Sequence, residues 1–374
     1  MWTFSAEQLR LRDEVREFLA EQQPRRDPRQ FFLGRGGASR ELYRAMGRRG
    51  WLSTAWPAQW GGWGAPPSTE FIIWNELAYA RAARPDIAAG IVAKTLIAHG
   101  TDEQRARLLP GIRRGEIGFA LGYSEPEAGS DLRGVRTRAV RTKEGYRVTG
   151  EKRWTSDAHN SDYLWLLCRA QDGTSGDARG HTLLIVDLGS PGVQIRPIRT
   201  IDGHRLNEVV LDEVLVPEEN RVGDEGDAWR LIQSALAVER HLMVLPGRVR
   251  RDFEGLLAWA RANDRLTDGW LRQEIAEVAV DVEEVEVAAL CTLAAMEAGR
   301  DAAVEAARAK LLGSRTVQRI ARIPFGAGDP DAGIGAGDPA FLWHESVMET
   351  IAGGTSEIML GVVARRALGL GGRR

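Results

Sequence analysis

Three short segments and one glutamate of this 374-residue chain carry the residue types that could do chemistry. Residues 121–131, LGYSEPEAGSD, cluster small side chains and backbone amides around the hydroxyls of Ser124 and Ser130. Such a turn can hydrogen-bond the edge of a heteroaromatic ring or a pyrophosphate, and it equally suits an ordinary Gly-Ser turn. Residues 152–156, KRWTS, follow a strand-like run, so Trp154 can stack on a flat ligand while Thr155 and Ser156 bond it; the alternative is a strand-end Trp in the core. Residues 351–357, IAGGTSE, break a helical pattern at a point whose amides can face a ligand. Glu239 shares a helical spacing with Ile232, Ala235, Leu236, Met243 and Pro246. A carboxylate on an apolar helix face is desolvated, which lifts its pKa toward that of a general base or acid. The same spacing also suits a Glu paired with an Arg nearby, such as Arg248.

Other chemistries are excluded by pattern. The chain has no GxxxxGK[ST], and the glycines at 333, 335 and 337 lack both the GxGxxG spacing and a preceding strand. Pro126 replaces the second glycine of a GxSxG elbow. The six histidines show no HExxH spacing, so no metal site is expected. A net charge of -2 argues against a nucleic-acid or anionic-membrane coat. Lysine occurs four times, at 94, 143, 152 and 310, against 46 arginines, which leaves little room for Schiff-base chemistry. Cys168 and Cys291 have no metal or CxxC spacing and are expected to be reduced thiols. No stretch approaches a membrane span and the N-terminus carries no signal pattern, so a soluble, cytoplasmic chain is expected.

The elements that must hold these segments follow in a fixed order. Residues 1–115 read as helical, with capping-box spacing at Ser5/Gln8 and Thr101/Gln104. Between these boxes, residues 50–67 (GWLSTAWPAQWGGWGAPP) carry four tryptophans among Gly and Pro and predict a packed loop. Residues 116–222 hold strand-length runs (GYRVTGEKRW, DYLWLLCRA, HTLLIVDL, VQIRPI, NEVVLDEVLVP), which suggest an antiparallel β-barrel or sandwich. Residues 223–374 return to helix. Ile275, Val278, Val282, Val285, Ala289, Leu293 and Met296 mark a long helix facing a bundle core. The glycine-rich run 325–339 predicts a loop between bundle helices.

Taken together these motifs resemble the acyl-CoA dehydrogenases. The matching stretches are 111–118 (GIRRGEIG), 124–132 (SEPEAGSDL), 150–156, 207–217, Glu239-Arg240, and GGTSEI with a terminal RRALGL. The resemblance implies an α+β multidomain fold: a helical N-terminal domain, a central antiparallel β-barrel and a C-terminal four-helix bundle. It implies FAD and an acyl thioester of coenzyme A or a carrier protein. Electrons would pass to an electron-transfer flavoprotein or to O2. The implied assembly is a homo-oligomer, dimer or tetramer, or a heteromer.

The resemblance also carries residue roles. Leu121, Tyr123 and Ser124 match positions that contact the flavin ring, and Gly129 and Ser130 match positions close to cofactor and thioester. Trp154, Thr155 and Ser156 match positions against the isoalloxazine. Thr355 and Glu357 match FAD contacts, Gly354 borders the substrate, and Arg240 matches an arginine beside the thioester. Many members place the catalytic base as Glu in Tyr-Glu-Gly-Thr; here that position is Gly353. A second class uses a Glu directly before Arg on an earlier helix, which matches Glu239-Arg240. An Arg-x-x-Phe-Gly motif that grips FAD across a subunit contact in many members is absent from residues 260–277. Two other readings share the fold: a flavin monooxygenase, and a non-catalytic partner subunit.

Overall fold

The computed structural model describes residues 2–22, 38–171, 178–327 and 341–371. The glycine-rich loop expected at 325–339 falls almost wholly outside them. In chain order the helices are α1 (Ala6–Gln22), α2 (Ala38–Arg48), α3 (Pro67–Tyr79), α4 (Ala93–His99), α5 (Asp102–Arg113), α6 (Ala228–Val238), α7 (Pro246–Ala262), α8 (Gly269–Glu297), α9 (Ala303–Gly326), α10 (Phe341–Met348) and α11 (Ser356–Arg366). The strands are β1 (Phe119–Gly122), β2 (Arg138–Thr142), β3 (Gly145–Ser156), β4 (Tyr163–Gln171), β5 (Ala178–Asp187), β6 (Val193–Arg199), β7 (Arg205–Val216) and β8 (Arg221–Val222). Both capping boxes form: Ser5 Oγ accepts from Gln8 N at 3.1 Å, and Thr101 Oγ1 accepts from Gln104 N at 3.2 Å. No described helix is long and apolar enough to cross a membrane.

Two compact units result. The sheet unit holds the described residues of 33–65 and 85–239. Its eight strands run in the order β6-β7-β3-β2-β4-β5-β8, with β1 on β4. Leu164, Leu166 and Cys168 of β4 meet Ala120, Val148, Leu184, Val209 and Val216 in one buried core. The expected antiparallel barrel needs correcting in two respects. Among the described residues the ladder does not close from β8 back to β6, and β4 pairs with both β1 and β2 in parallel. Sequence runs identify strands but not partners. The short strands β1, β2 and β8 carry too few residues to show a period, and two of them create the parallel pairs.

The helical unit holds the described residues of 1–32, 66–84 and 240–374. Along α8 the apolar stripe faces inward as expected: Ile275, Val278, Val282 and Val285 pack with Val249, Leu256, Val317 and Ile320 of α7 and α9. Asp268 caps α8 by accepting from Trp270 N at 2.9 Å. A buried charge cluster ties this unit together. Arg81 bonds Asp252 at 2.5 Å and Glu345 at 3.1 Å, Arg248 lies 3.2 Å from Glu345 and also pairs with Glu349, and Lys310 lies 3.6 Å from Glu349.

Burial pushes the Glu349 carboxyl up, but Arg248 and then Lys310 outweigh it and hold the group at about 2, below its ordinary 4.5. A carboxyl depressed by folding contributes stability above its unfolded value, and that contribution is lost as pH falls through the folded value. Glu349→Gln is therefore expected to lower the unfolding free energy by about 3 kcal/mol at neutral pH. The difference from wild type should shrink as pH falls from 4.5 towards 2. Urea unfolding across that range checks both.

Candidate active site

In the sheet unit the structure joins two of the three candidate segments. Leu121 lies on β1, and the chain then folds into a tight turn in which Glu125 N donates to Ala128 O at 2.9 Å and Ala128 N to Glu125 O at 3.2 Å. Glu125 is buried, and its carboxylate accepts from Arg136 N at 2.6 Å, Thr137 N at 2.9 Å and Lys152 Nζ at 2.7 Å. Lys152, wholly buried, also donates to Tyr123 O at 3.1 Å, and Arg153 N donates to Ser124 O at 2.9 Å. Residues 121–131 are thus stitched to residues 152–156 by one internal ion pair, one bond from Lys152 to the Tyr123 carbonyl and one backbone bond. Burial pushes the Glu125 carboxyl up, but Lys152 and the amides hold it below its ordinary range; burial lowers the Lys152 ammonium, with Glu125 opposing. Burial also raises the Tyr123 phenol, so it stays protonated.

Beyond Lys152 the register of β3 against β7 is irregular up to Thr155. Trp154 sits in that irregularity with φ 62°, and the residue is 52% exposed, with the Arg153 guanidinium 5.2 Å from its ring centroid. A left-handed Trp is strained, and irregularities of this kind turn a side chain out of the pleat. Thr155 is buried with its Oγ1 unpartnered, and its carbonyl is fixed by Asn207 Nδ2 at 2.9 Å. Gly129 and Ser130 are exposed, and a Cβ on Gly129 would meet nothing within 4 Å.

Glu239 stands at the C-terminal end of α6, not on one continuous helix. The expected apolar face is therefore divided: Ile232 and Ala235 are buried on α6, while Met243 follows the 3-10 turn Arg240–Leu242 and Pro246 opens α7. Leu236, expected on that face, is 47% exposed. The carboxylate is 13% exposed and paired with Lys94 of α4. Arg248, the alternative partner, is engaged with Glu345 and Glu349.

The helical unit holds the remaining candidates. Arg240 pairs with Asp301, whose other oxygen lies 2.5 Å from Arg366. Gly353 and Gly354 have φ of 69° and 99°, so both occupy the left-handed region that glycine tolerates. Thr355 caps α11 by accepting from Ile358 N at 3.2 Å, and Glu357 lies exposed in its first turn.

A cavity of about 500 Å³ in the sheet unit, lined by His99, Thr101, Glu219, Arg221 and Asp227, includes none of the candidate residues.

Three family models match the chain in order: acyl-CoA dehydrogenase N-terminal domain over residues 5–116, middle domain over 120–214 and C-terminal domain over 226–368. The acyl-CoA dehydrogenase FadE26 of Mycobacterium tuberculosis is 32% identical, covering 98% of each chain. The chain belongs to the acyl-CoA dehydrogenase family. Among solved structures of the family, the Tcur3481-Tcur3483 steroid ACAD matches with a TM-score of 0.90 at 31% identity, covering 99% of each chain. The ChsE4-ChsE5 complex from Mycobacterium tuberculosis matches with a TM-score of 0.88 at 31% identity, covering 100% of each chain.

As an acyl-CoA dehydrogenase the chain is an FAD-dependent oxidoreductase, and the sheet unit fits a flavin. It offers an unpartnered buried hydroxyl at Thr155, a half-exposed aromatic face at Trp154 and open space over Gly129. Sequence reasoning missed Lys94, Glu125 and Lys152. A signal was available: in a chain that uses arginine almost throughout, Lys94, Lys152 and Lys310 each face a carboxylate. A compact ammonium fits a buried site that a planar guanidinium does not.

Proposed function

We propose that the protein catalyses α,β-dehydrogenation of an acyl thioester, with Glu239 as the base. The observation that carries this reading is the Glu239 carboxylate: mostly buried, paired with Lys94, and placed directly before Arg240 in a chain whose other family base position is Gly353. Leu121, Tyr123, Ser124, Gly129, Ser130, Trp154, Thr155, Ser156, Thr355 and Glu357 would hold FAD. When bound, FAD supplies the acceptor for the hydride that leaves the β-carbon. Glu239 takes the α-proton and becomes the neutral acid, and the released electron pair forms the α,β double bond. Ser130, Arg240 and Gly354 would bind the thioester; Asp301 keeps Arg240 in place.

Gly353 supports a bulky acyl group, since a Cβ there would meet nothing within 4 Å. The likeness to a steroid ACAD supports a polycyclic acyl chain on coenzyme A, and the likeness to the ChsE4-ChsE5 complex supports a heteromeric assembly. An electron-transfer flavoprotein is the proposed acceptor. The three family-model spans support a functional division near residues 115 and 222.

The test is anaerobic titration of the purified yellow protein with straight-chain, branched and steroid side-chain acyl-CoA thioesters. Bleaching of the flavin by the bulky members is the expected result. Protein that stays colourless with excess FAD, and whose melting temperature FAD does not raise, would instead be a partner subunit.

A further inference from the structure

Glu239 meets an unusual piece of backbone. Residues Ala88–Val92 form a single π-helical turn, in which Val92 N donates to Ile87 O at 3.0 Å. Such turns are rare and recur at functional sites. This one is braced on several sides. Trp56, from the tryptophan loop, donates Nε1 to Ala89 O at 3.0 Å; Thr95 Oγ1 donates to Ile91 O at 2.6 Å; and Asp86 accepts from Ala88 N and Gly90 N. The turn presents Gly90 to the Glu239 carboxylate. A Cβ on Gly90 would lie 2.5 Å from Oε2 and 2.9 Å from Cδ. Four residues on, Lys94 pairs with Oε1 of the same carboxylate.

The charges around the site set the direction of the effect. Glu239 caps the C-terminus of α6, where the helix dipole disfavours a negative charge, and it is mostly buried. Both influences raise its proton affinity, and the Lys94 ammonium opposes them. Of the segments packed on α6, α4 also carries His99, which lies beside Arg230 and Asp227. The π-turn itself carries no ionisable side chain, and Asp86 precedes it. On β5, His181 lies beside Arg169, and Asp187 binds Gly189 N.

We propose that the Ala88–Val92 turn and Lys94 form a cradle that sets both the place and the proton affinity of the Glu239 carboxylate, with Gly90 and Lys94 as positioning residues. The proposal rests on Glu239 as base for its meaning in turnover, but not for its test. Lys94 keeps the carboxylate ionised and able to accept a proton at neutral pH, and Gly90 leaves the room in which it sits. Gly90→Ala is a discriminating change, because the group that must move is the end of a flexible side chain. The fold can absorb the methyl, and the carboxylate cannot stay.

The experiment uses holoenzyme labelled with ¹³C at glutamate carboxyls, the Glu239 resonance being identified by its loss in Glu239→Gln. Lys94→Met is expected to raise the titration midpoint of that resonance by about 1–3 pH units. Gly90→Ala is expected to keep the melting temperature and shift the resonance, while slowing flavin reduction by acyl-CoA about 10²-fold. An unchanged midpoint in Lys94→Met overturns the cradle even if Glu239→Gln abolishes turnover. A raised midpoint together with full turnover in Glu239→Gln upholds the cradle and overturns the base assignment alone. If Lys94→Met does not accumulate as folded protein, Lys94→Gln is read in the same way.

Discussion

Glu239→Gln should bind FAD and fold normally, yet reduce its flavin about 10²–10⁴-fold more slowly than wild type, the usual scale for a lost general base. The α-proton of a thioester is far less acidic than a carboxylic acid in water. Its removal needs a carboxylate that is close, oriented and partly desolvated. Glu239 is 13% exposed and paired with Lys94, so the second and third conditions are built into the chain. Glutamine keeps the size and one acceptor oxygen but cannot take the proton. Adding Gly353→Glu to this variant places a carboxylate at the other position the family uses. Space is open there, but φ is 69°, which costs a side-chain-bearing residue about 1–2 kcal/mol. The double variant is therefore expected to recover only a small part of the rate. Stopped-flow flavin reduction under anaerobic conditions checks both, and wild-type speed in Glu239→Gln would place the base elsewhere.

Lys152→Met should be the most damaging single change in the sheet unit. It leaves the Glu125 carboxylate buried without its cation, at a cost of about 3–5 kcal/mol. The same change frees Tyr123 O, so the turn at 124–128 loses two ties to β3, and the segment proposed to hold FAD loosens with it. FAD content per chain should fall together with stability. Lys152→Met/Glu125→Leu removes the lone charge but strands Arg136 N and Thr137 N, which now bond that carboxylate. Only partial recovery is expected. Denaturant unfolding and the flavin-to-protein absorbance ratio measure the two effects, and a Lys152→Met protein as stable and as yellow as wild type would refute this role.

Much of the architecture is legible from local pattern. The apolar stripe of α8 and the five longer strand runs follow from side-chain period, and both capping boxes form where their spacing places them. The segments 121–131 and 152–156 stand out as candidate ligand contacts from their small and hydroxyl residues. What joins them is not recognisable, because Glu125 and Lys152 are 27 residues apart and nothing in either local pattern signals the pair. Lys94 and Glu239 are separated by 145 residues. The break after α6 was hidden for a different reason. Apolar residues continue at helical spacing from Ile232 to Pro246, so the period persists through a point where the backbone leaves the helix. The π-turn at Gly90 has no sequence signature that separates it from an Ala-rich α-helix. The parallel pairing of β1 and β2 with β4 depends on partners that short strands do not encode.

We propose that this chain removes two hydrogens from an acyl thioester without inserting oxygen. The most direct measurement mixes FAD-loaded protein with a bleaching acyl-CoA under anaerobic conditions and follows flavin absorbance and product mass together. The expected result is one α,β-unsaturated thioester, lighter than the substrate by two hydrogens, for each flavin bleached. Unchanged thioester with oxidised flavin, or a product that forms only when O2 is admitted and carries an added oxygen, would contradict it.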